Sequence, residues 1–116
     1  MIRKRSEMTT DRRERMRDGE GTVSITHMVT REEMQNGRLF AWIELPVGAS
    51  IGPHTHDGET EYYAILSGKG EVTESDGVKQ VTGGDMVITG NGASHSIANT
   101  GNDPLQFIAV INYDET

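Results

Sequence analysis

The sequence predicts a single all-β domain built as a sandwich or a closed barrel. Its 116 residues are enough for one modest hydrophobic core and too few for two. Eight or more short apolar segments follow one another with turn residues between them, and 14 glycines against 3 prolines indicate many tight turns. A sandwich or a barrel is how a sheet of so many strands hides its edges.

The N-terminal 21 residues are expected to form an arm, followed by a barrel domain over residues 22–116. Thr9 and Thr10 are suitable helix N-caps, and the segment from residue 11 to 18 runs to Gly19, a suitable helix stop. We therefore predict a short N-terminal helix or an ordered arm, with a solvated leader as the alternative.

The arm is basic, although the whole chain has a net charge of −7. Residues 1–18 hold seven of the eleven basic residues, but four acidic residues interrupt them. Since the acidic body would also repel phosphates, nucleic acid is not predicted as a partner. No apolar run is long enough to span a membrane and the N-terminus lacks the apolar core of a secretory signal, so no membrane partner and a cytoplasmic location are expected.

A strand is predicted from Thr22 to Val29, where apolar and polar residues alternate. His27 lies on the apolar face of this strand and is predicted to be a hydrogen-bonded core or interface histidine rather than a metal ligand. The following segment, residues 30–37, is predicted to be a second short helix or a turn. Arg31 and Arg38 flank it and are expected to be solvated.

The rest of the chain is a succession of strands punctuated by turns. Predicted strands cover residues 38–45, 50–56, 60–66, 70–74, 79–82, 86–89, 94–99 and 104–113. Dipeptides such as Asp57-Gly58, Asp76-Gly77 and Asn91-Gly92 separate several of them and supply the positive φ angles of tight hairpin turns.

Metal-binding side chains are concentrated around His54 and His56. Residues two apart on a strand share a face, so both imidazoles can reach one ion. If Asp57-Gly58 forms a two-residue hairpin turn, His54 lies opposite Glu61, and all three side chains share that face. The alternative is a pair of exposed turn histidines. Since the chain has no cysteine, any metal must take nitrogen and oxygen ligands, and His95, which follows a later turn, is a candidate fourth ligand.

Two motifs in the chain resemble those of the cupin family. The first motif is matched by Gly48, His54, His56, Glu61 and Gly68, and the second by Gly84, Gly92, His95 and Asn99. Gly90 stands where the family usually has proline. The resemblance implies a single-domain cupin, a double-stranded β-helix or jelly-roll barrel, with one divalent metal held by His54, His56, Glu61 and His95. Looser similarity is to small bacterial cupins labelled oxalate-decarboxylase-like or germin-like.

The implied site predicts an anionic ligand. Three neutral imidazoles and one carboxylate around a divalent ion leave a net charge of about +1. Four protein ligands leave two positions open on octahedral manganese or iron, the expected metals, with nickel or zinc as alternatives. A small carboxylate such as oxalate fits those positions.

Three functions remain open from the sequence. The first is a metal-dependent decarboxylase, oxidase or dioxygenase-type enzyme, the second a non-catalytic binding or sensor module, and the third a structural protein whose metal stabilises the fold. A homodimer is expected in each case, because a small barrel has apolar outer surface to cover.

Proton carriers would distinguish an enzyme from a binding module. Glu59 and Tyr63 are the candidate catalytic residues, with a solvent-facing carboxylate and barrel packing as their alternatives. Tyr63, Phe107 and Trp42 are also candidate walls of a substrate pocket, with core packing as the alternative for Phe107 and Trp42.

Overall fold

The structure, a computed structural model, describes residues 1–115 and contains two antiparallel sheets packed face to face. One sheet has six strands in the order β1-β2-β3-β10-β5-β8, and the other has four in the order β4-β9-β6-β7. The strands are β1 (Thr9–Glu14), β2 (Thr22–Val29), β3 (Gly37–Leu45), β4 (Ser50–Thr55), β5 (Glu59–Ser67), β6 (Lys69–Glu74), β7 (Gly77–Thr82), β8 (Met86–Thr89), β9 (Ser94–Asn99) and β10 (Leu105–Tyr113). The predicted all-β jelly-roll fold is confirmed.

The core lies between the sheets and follows from the alternation of side chains along each strand. In β3, β5 and β10 nearly every second residue is buried. Phe107 and Leu105 of β10 are fully buried and lie in one cluster with residues of the opposite sheet such as Ile51 and Ile97. The inward faces of the two sheets therefore supply the apolar burial that holds the fold together.

Of the two predicted forms of the N-terminal segment, a short helix or an ordered arm, the helix is wrong. Residues 9–14 form β1, which pairs with β2 from Thr9↔His27 to Glu14↔Thr22 at the edge of the six-stranded sheet. Only 3-10 turns flank it, at Arg5–Glu7 and Met16–Asp18. The capping residues are a local signal, whereas pairing with β2 satisfies a row of backbone groups that a helix would leave open at the sheet edge.

The segment between β2 and β3 is a turn, which is one of the two forms predicted for it. A 3-10 turn spans Arg31–Glu33, and the Glu33 carboxylate accepts hydrogen bonds from the backbone N–H and the hydroxyl of Thr30.

Within residues 1–115, no helix is long and apolar enough to cross a membrane.

The predicted hairpin at Asp57-Gly58 is also wrong. β4 pairs with β9 in the four-stranded sheet, whereas β5 pairs with β10 and β8 in the six-stranded sheet. The chain therefore passes from one sheet to the other at residues 56–58. The Asp76-Gly77 dipeptide does lie at a hairpin, because β6 and β7 pair down to Glu74↔Gly77.

Candidate metal centre

The four predicted ligands come from both sheets. His54 of β4 and His95 of β9 are direct partners in the four-stranded sheet, and His56 follows β4 where the chain leaves that sheet. Glu61 belongs to β5 of the six-stranded sheet. The hairpin that was expected to bring His54 and Glu61 together is absent, so the packing of the two sheets brings them together instead.

Four potential ligand atoms converge between the sheets. The Nε2 atoms of His56 and His95 lie 2.8 and 2.9 Å from Glu61 Oε1, and that of His54 lies 3.5 Å from it. His95 Nε2 is also 2.9 Å from His54 Nε2 and 3.2 Å from His56 Nε2. All four atoms lie within 4.8 Å of one another, so one ion placed between them could contact each of them.

Each imidazole is oriented through its other nitrogen. His54 Nδ1 donates to the Gly52 carbonyl at 2.8 Å, and His56 Nδ1 donates to Glu59 Oε2 at 2.6 Å. His95 Nδ1 is 2.8 Å from the hydroxyl of Thr89. Such partners fix the ring orientation and the tautomer of metal-binding histidines. The Nε2 atoms of His54 and His56 therefore carry lone pairs, and both lie in the group of four ligand atoms, an arrangement that a cation stabilises and that fits a metal.

The pKa shifts of Glu61 and His95 are consistent with a metal site. Burial alone would raise the pKa of Glu61, but the three imidazoles around its carboxylate outweigh burial and hold its pKa well below the usual range. For His95, burial dominates and lowers the pKa, which favours the neutral imidazole that a metal requires. Burial also acts to lower the pKa of His56, but hydrogen bonds to Glu61 and Glu59 raise it overall.

Glu59 lies behind His56 rather than in solvent. Its side chain is 12% exposed, and Arg38 donates two hydrogen bonds of 2.8 Å to its two carboxylate oxygens. Arg38 lowers the pKa of Glu59 to about 2, against the opposing effect of burial. Glu59 is therefore an anion at neutral pH. The prediction that Arg38 is merely solvated is wrong, because an acidic side chain from β5 lies within its reach.

Tyr63 forms the wall behind His95. The two rings are stacked with centroids 5.0 Å apart, and on its other side Tyr63 packs against Phe107 at 4.5 Å. Burial and the charge of Glu61 raise the pKa of the Tyr63 hydroxyl well above its usual value, so the group stays protonated. Tyr63 is thus both barrel packing and a neutral hydrogen-bond donor beside the site.

A cavity of about 490 Å³ opens beside this group. Its lining includes His54, His56, Glu61 and Tyr63, but neither Phe107 nor Trp42. Phe107 is fully buried in the core, the alternative that was predicted for it. Trp42 faces away from the core, where its indole N–H donates to Gln106 and the guanidinium of Arg5 lies 4.4 Å above its ring.

His27 lies outside the four-residue group, as predicted. Its Nε2 is 2.8 Å from Asp11 Oδ2 across the β1–β2 pair, and its side chain lines the cavity. Sequence reasoning missed Thr89 and Arg13 to Arg17 as neighbours of the site. Thr89 is the last residue of the short strand β8, and nothing in the sequence marked it. The concentration of arginine in the arm was visible in the sequence, but its position in the fold was not.

Comparison with known proteins agrees with the two motifs. The family model described as "Cupin domain" matches residues 41–111. A Thermotoga maritima protein named "Oxalate-binding protein" is 45% identical over 112 residues, which cover 96% of this chain and 93% of that protein.

Solved structures show the same fold. A crystal structure of a predicted oxalate decarboxylase from Thermotoga maritima superposes with a TM-score of 0.93 at 43% identity, covering 98% of this chain and 100% of the other. The cupin domain of Cnp3 from Schizosaccharomyces pombe superposes with a TM-score of 0.73 over 90% of this chain and 69% of the other, and at 17% identity it supports the fold alone.

Proposed function

This chain belongs to the cupin family, and on that premise we propose that it binds a small carboxylate at a divalent metal ion. The observation that carries the proposal is the convergence of three imidazole nitrogens and one carboxylate oxygen within 4.8 Å of one another, with three of the four residues on the wall of a cavity. The relative named an oxalate-binding protein supports a carboxylate as the ligand. His54, His56, Glu61 and His95 would hold the ion.

Manganese or iron is the proposed metal, with nickel or zinc as alternatives, because imidazole and carboxylate suit all four. When bound, such an ion acts as a Lewis acid and leaves the site with a net charge of about +1, which favours an anion. The chain itself contributes the orientation of the ligands, through Gly52, Glu59 and Thr89, and a protonated hydroxyl, that of Tyr63, beside Glu61 on the cavity wall.

Binding without turnover is the function we favour. Decarboxylation needs a proton donor near the reacting carbon. Glu59 carries no proton at neutral pH, because Arg38 lowers its pKa to about 2, and its carboxylate is committed to Arg38 and His56. We therefore propose that Glu59 positions His56 and does not act as a general acid.

An oxalate decarboxylase is the second candidate, favoured by one observation. The Tyr63 hydroxyl is protonated and its side chain lines the cavity, so a group that carries a proton lies there. In that reaction the C–C bond of oxalate breaks, carbon dioxide leaves, and the remaining carbon takes a proton to give formate.

Metal-dependent ligand binding tests the proposal. Protein purified from metal-supplemented medium is expected to hold close to one ion per chain by elemental analysis, and calorimetry is expected to show oxalate binding that disappears when a chelator removes the metal. His95→Ala is expected to lose both the metal and the binding. A metal-loaded protein that binds no small carboxylate would contradict the proposal. Formate released from oxalate would establish the decarboxylase. Oxalate binding without release of formate would establish the binding module.

We also propose that the chain forms a homodimer in the cytoplasm. The outer face of the six-stranded sheet carries adjacent apolar side chains in two cross-strand rows, which we call the outer-sheet patch: Phe40, Val110, Tyr62 and Ile88 in one row, and Trp42, Ile108, Ala64 and Met86 in the other. Ile88 and Met86 are 62% and 55% exposed. None of these side chains is charged, and the guanidinium of Arg5 lies over the patch at its Trp42 end. A second copy of the same face can therefore cover the rest of the patch without burying an unpaired charge.

A further inference from the structure

The side chains that line the cavity change in character from the metal centre to the solvent. At its buried end lie the ligands His56 and Glu61, which are 2% and 4% exposed. Buried apolar side chains follow along the lining, among them Ile25, Ile43 and Ile51. The exposed part of the lining is basic and consists of Arg13, Arg15 and Arg17, with one carboxylate, Glu14, among them. We call these four residues the basic mouth.

The size of the cavity exceeds what the smallest dicarboxylate needs. At about 30 Å³ for a water molecule in the liquid, a volume of about 490 Å³ has room for on the order of fifteen waters. An oxalate bound at the metal end would leave most of this space, including the apolar part, to water. The volume and the lining therefore fit a longer ligand.

The three arginines of the basic mouth are not committed to ion pairs. Among residues 1–115, the salt bridges of the arginines join Arg38 to Glu59 and Arg3 to Glu33, and none involves Arg13, Arg15 or Arg17. Arginine presents donors in a fork that matches a carboxylate. The mouth thus offers three guanidinium groups, against one carboxylate, to an anion inside the cavity.

The backbone that carries the mouth is held in an uncommon conformation. Arg15, Arg17 and Asp18 have φ angles of 49°, 55° and 63°, in the left-handed region that non-glycine residues seldom adopt. The segment is fixed to β4 through hydrogen bonds that join Glu20 and Ser50, and a Cβ atom on Gly52 would lie 1.9 Å from the Arg17 carbonyl oxygen. Strain of this kind persists where the surrounding structure enforces it, and it concentrates at functional sites.

We propose that the ligand is a dicarboxylate longer than oxalate, with one carboxylate at the metal, its carbon chain against the apolar lining, and its second carboxylate at Arg13 and Arg17. The metal end of this assignment rests on the proposed function. The mouth adds selectivity: it favours a dicarboxylate over a monocarboxylate of equal length, and it gives the N-terminal segment a role in ligand recognition.

Calorimetry on the manganese-loaded protein tests this assignment. The ligands are oxalate and the straight-chain dicarboxylates from malonate to adipate, each of the latter compared with the monocarboxylate of the same number of carbons. At least one of these longer dicarboxylates is expected to bind about tenfold or more tightly than both its monocarboxylate and oxalate. That preference is expected to weaken as salt is raised, because the mouth is exposed.

Two variants locate the preference. Arg13→Gln combined with Arg17→Gln is expected to abolish the preference over the monocarboxylate and to leave the metal content and oxalate binding unchanged. Arg12→Gln is the matched control, since Arg12 lies on the same strand but on its other face, opposite Ser24, and does not line the cavity. It is expected to retain the preference.

The outcomes separate this inference from the proposed function. The inference is overturned, and the proposed function stands, if oxalate binds but none of the longer dicarboxylates binds more tightly than both oxalate and the matching monocarboxylate. The same holds if the Arg13/Arg17 variant keeps the preference. If the metal-loaded protein binds no carboxylate at all, oxalate included, both are overturned.

Discussion

Each imidazole of the metal centre uses one ring nitrogen for orientation and leaves the other for an ion. The three orienting groups are chemically different: a backbone carbonyl, a carboxylate and a hydroxyl. Only the carboxylate, that of Glu59, is itself tied to a cation. His56 is therefore the ligand whose basicity depends most on a charged neighbour.

Other residues of the two motifs serve the backbone rather than the metal. Gly68 has a φ of 93°, and a Cβ atom there would lie 2.6 Å from the Pro104 carbonyl oxygen, so only glycine fits. Asn99 donates to the carbonyls of Leu45 and Asp103 and accepts from the N–H of Gly101. Gly90, where the family usually has proline, leaves room for Thr60, whose hydroxyl would lie 2.5 Å from an added Cβ atom.

Replacement of Glu59 tests its role as the positioning group for His56. Glu59→Gln keeps the size of the side chain but removes the charge that His56 and Arg38 share. We expect metal affinity to fall about tenfold or more, the range found for such indirect partners of metal ligands. Competition with a chelating dye measures the affinity. Glu71→Gln is the control, because Glu71 accepts a hydrogen bond from Gln80 and does not line the cavity. Equal affinities for the two variants would contradict the assignment.

Two Asp-Gly dipeptides in this chain have different structural outcomes. Asp76-Gly77 lies at the hairpin between β6 and β7, whereas Asp57-Gly58 lies where the chain leaves one sheet and enters the other. Both glycines have positive φ angles, 134° and 70°. The dipeptide permits a sharp change of direction, but the partners available to the flanking strands decide whether that change makes a hairpin.

The contact between the N-terminal segment and β4 depends on two glycines. A Cβ atom on Gly19 would lie 2.2 Å from the Ser50 carbonyl oxygen, and one on Gly52 would lie 1.9 Å from that of Arg17. These are backbone atoms, so the N-terminal segment and β4 must move apart to admit a methyl group. The position of the basic mouth over the cavity therefore depends on the absence of side chains at both positions.

Gly52→Ala is expected to lower the free energy of unfolding by about 1–3 kcal/mol, the usual cost of overpacking a close contact. It is also expected to make the bond after Arg15 or Arg17 more accessible to trypsin. Chemical denaturation and timed proteolysis measure the two effects. Gly101→Ala is the control, because its nearest neighbour would be the Lys69 side chain at 3.2 Å. A Gly52→Ala variant as stable and as resistant as this control would show that the contact is looser than described.

The metal centre exists only when the two sheets are packed together. The four-stranded sheet supplies His54 and His95, and the six-stranded sheet supplies Glu61. An ion bound between them links the sheets, so metal binding is expected to contribute to the stability of the folded chain. The same packing creates the cavity, whose apolar lining comes from both sheets.

The outer-sheet patch predicts the assembly of the whole molecule. Ile108 lies at the centre of one apolar row, between Trp42 and Ala64. Ile108→Glu is expected to convert a dimer into a monomer in sedimentation velocity, because it places a charge in the covered face. Val78→Glu is the control, since Val78 is 57% exposed on the other sheet. A wild-type chain that sediments as a monomer would contradict the proposed dimer.

Much of the site could be predicted from the sequence. The all-β class and most strand positions follow from residue types, spacing and alternation, which are local properties of the chain, and the four candidate ligands follow from the resemblance to the two cupin motifs. His27 was predicted to be hydrogen-bonded, and its partner in the structure is Asp11.

Pairing between distant segments decided the features that the sequence did not predict. Whether residues 9–14 form a helix or a strand depended on the free edge of β2, and whether Asp57-Gly58 forms a hairpin depended on β9 and β10 as competing partners. The pairing of Glu59 with Arg38 and the position of Arg13 and Arg17 at the cavity likewise join residues distant in sequence. Local propensity and spacing carry no information about which distant segment lies alongside. Only the tertiary structure therefore determined how the ligands meet and what surrounds them.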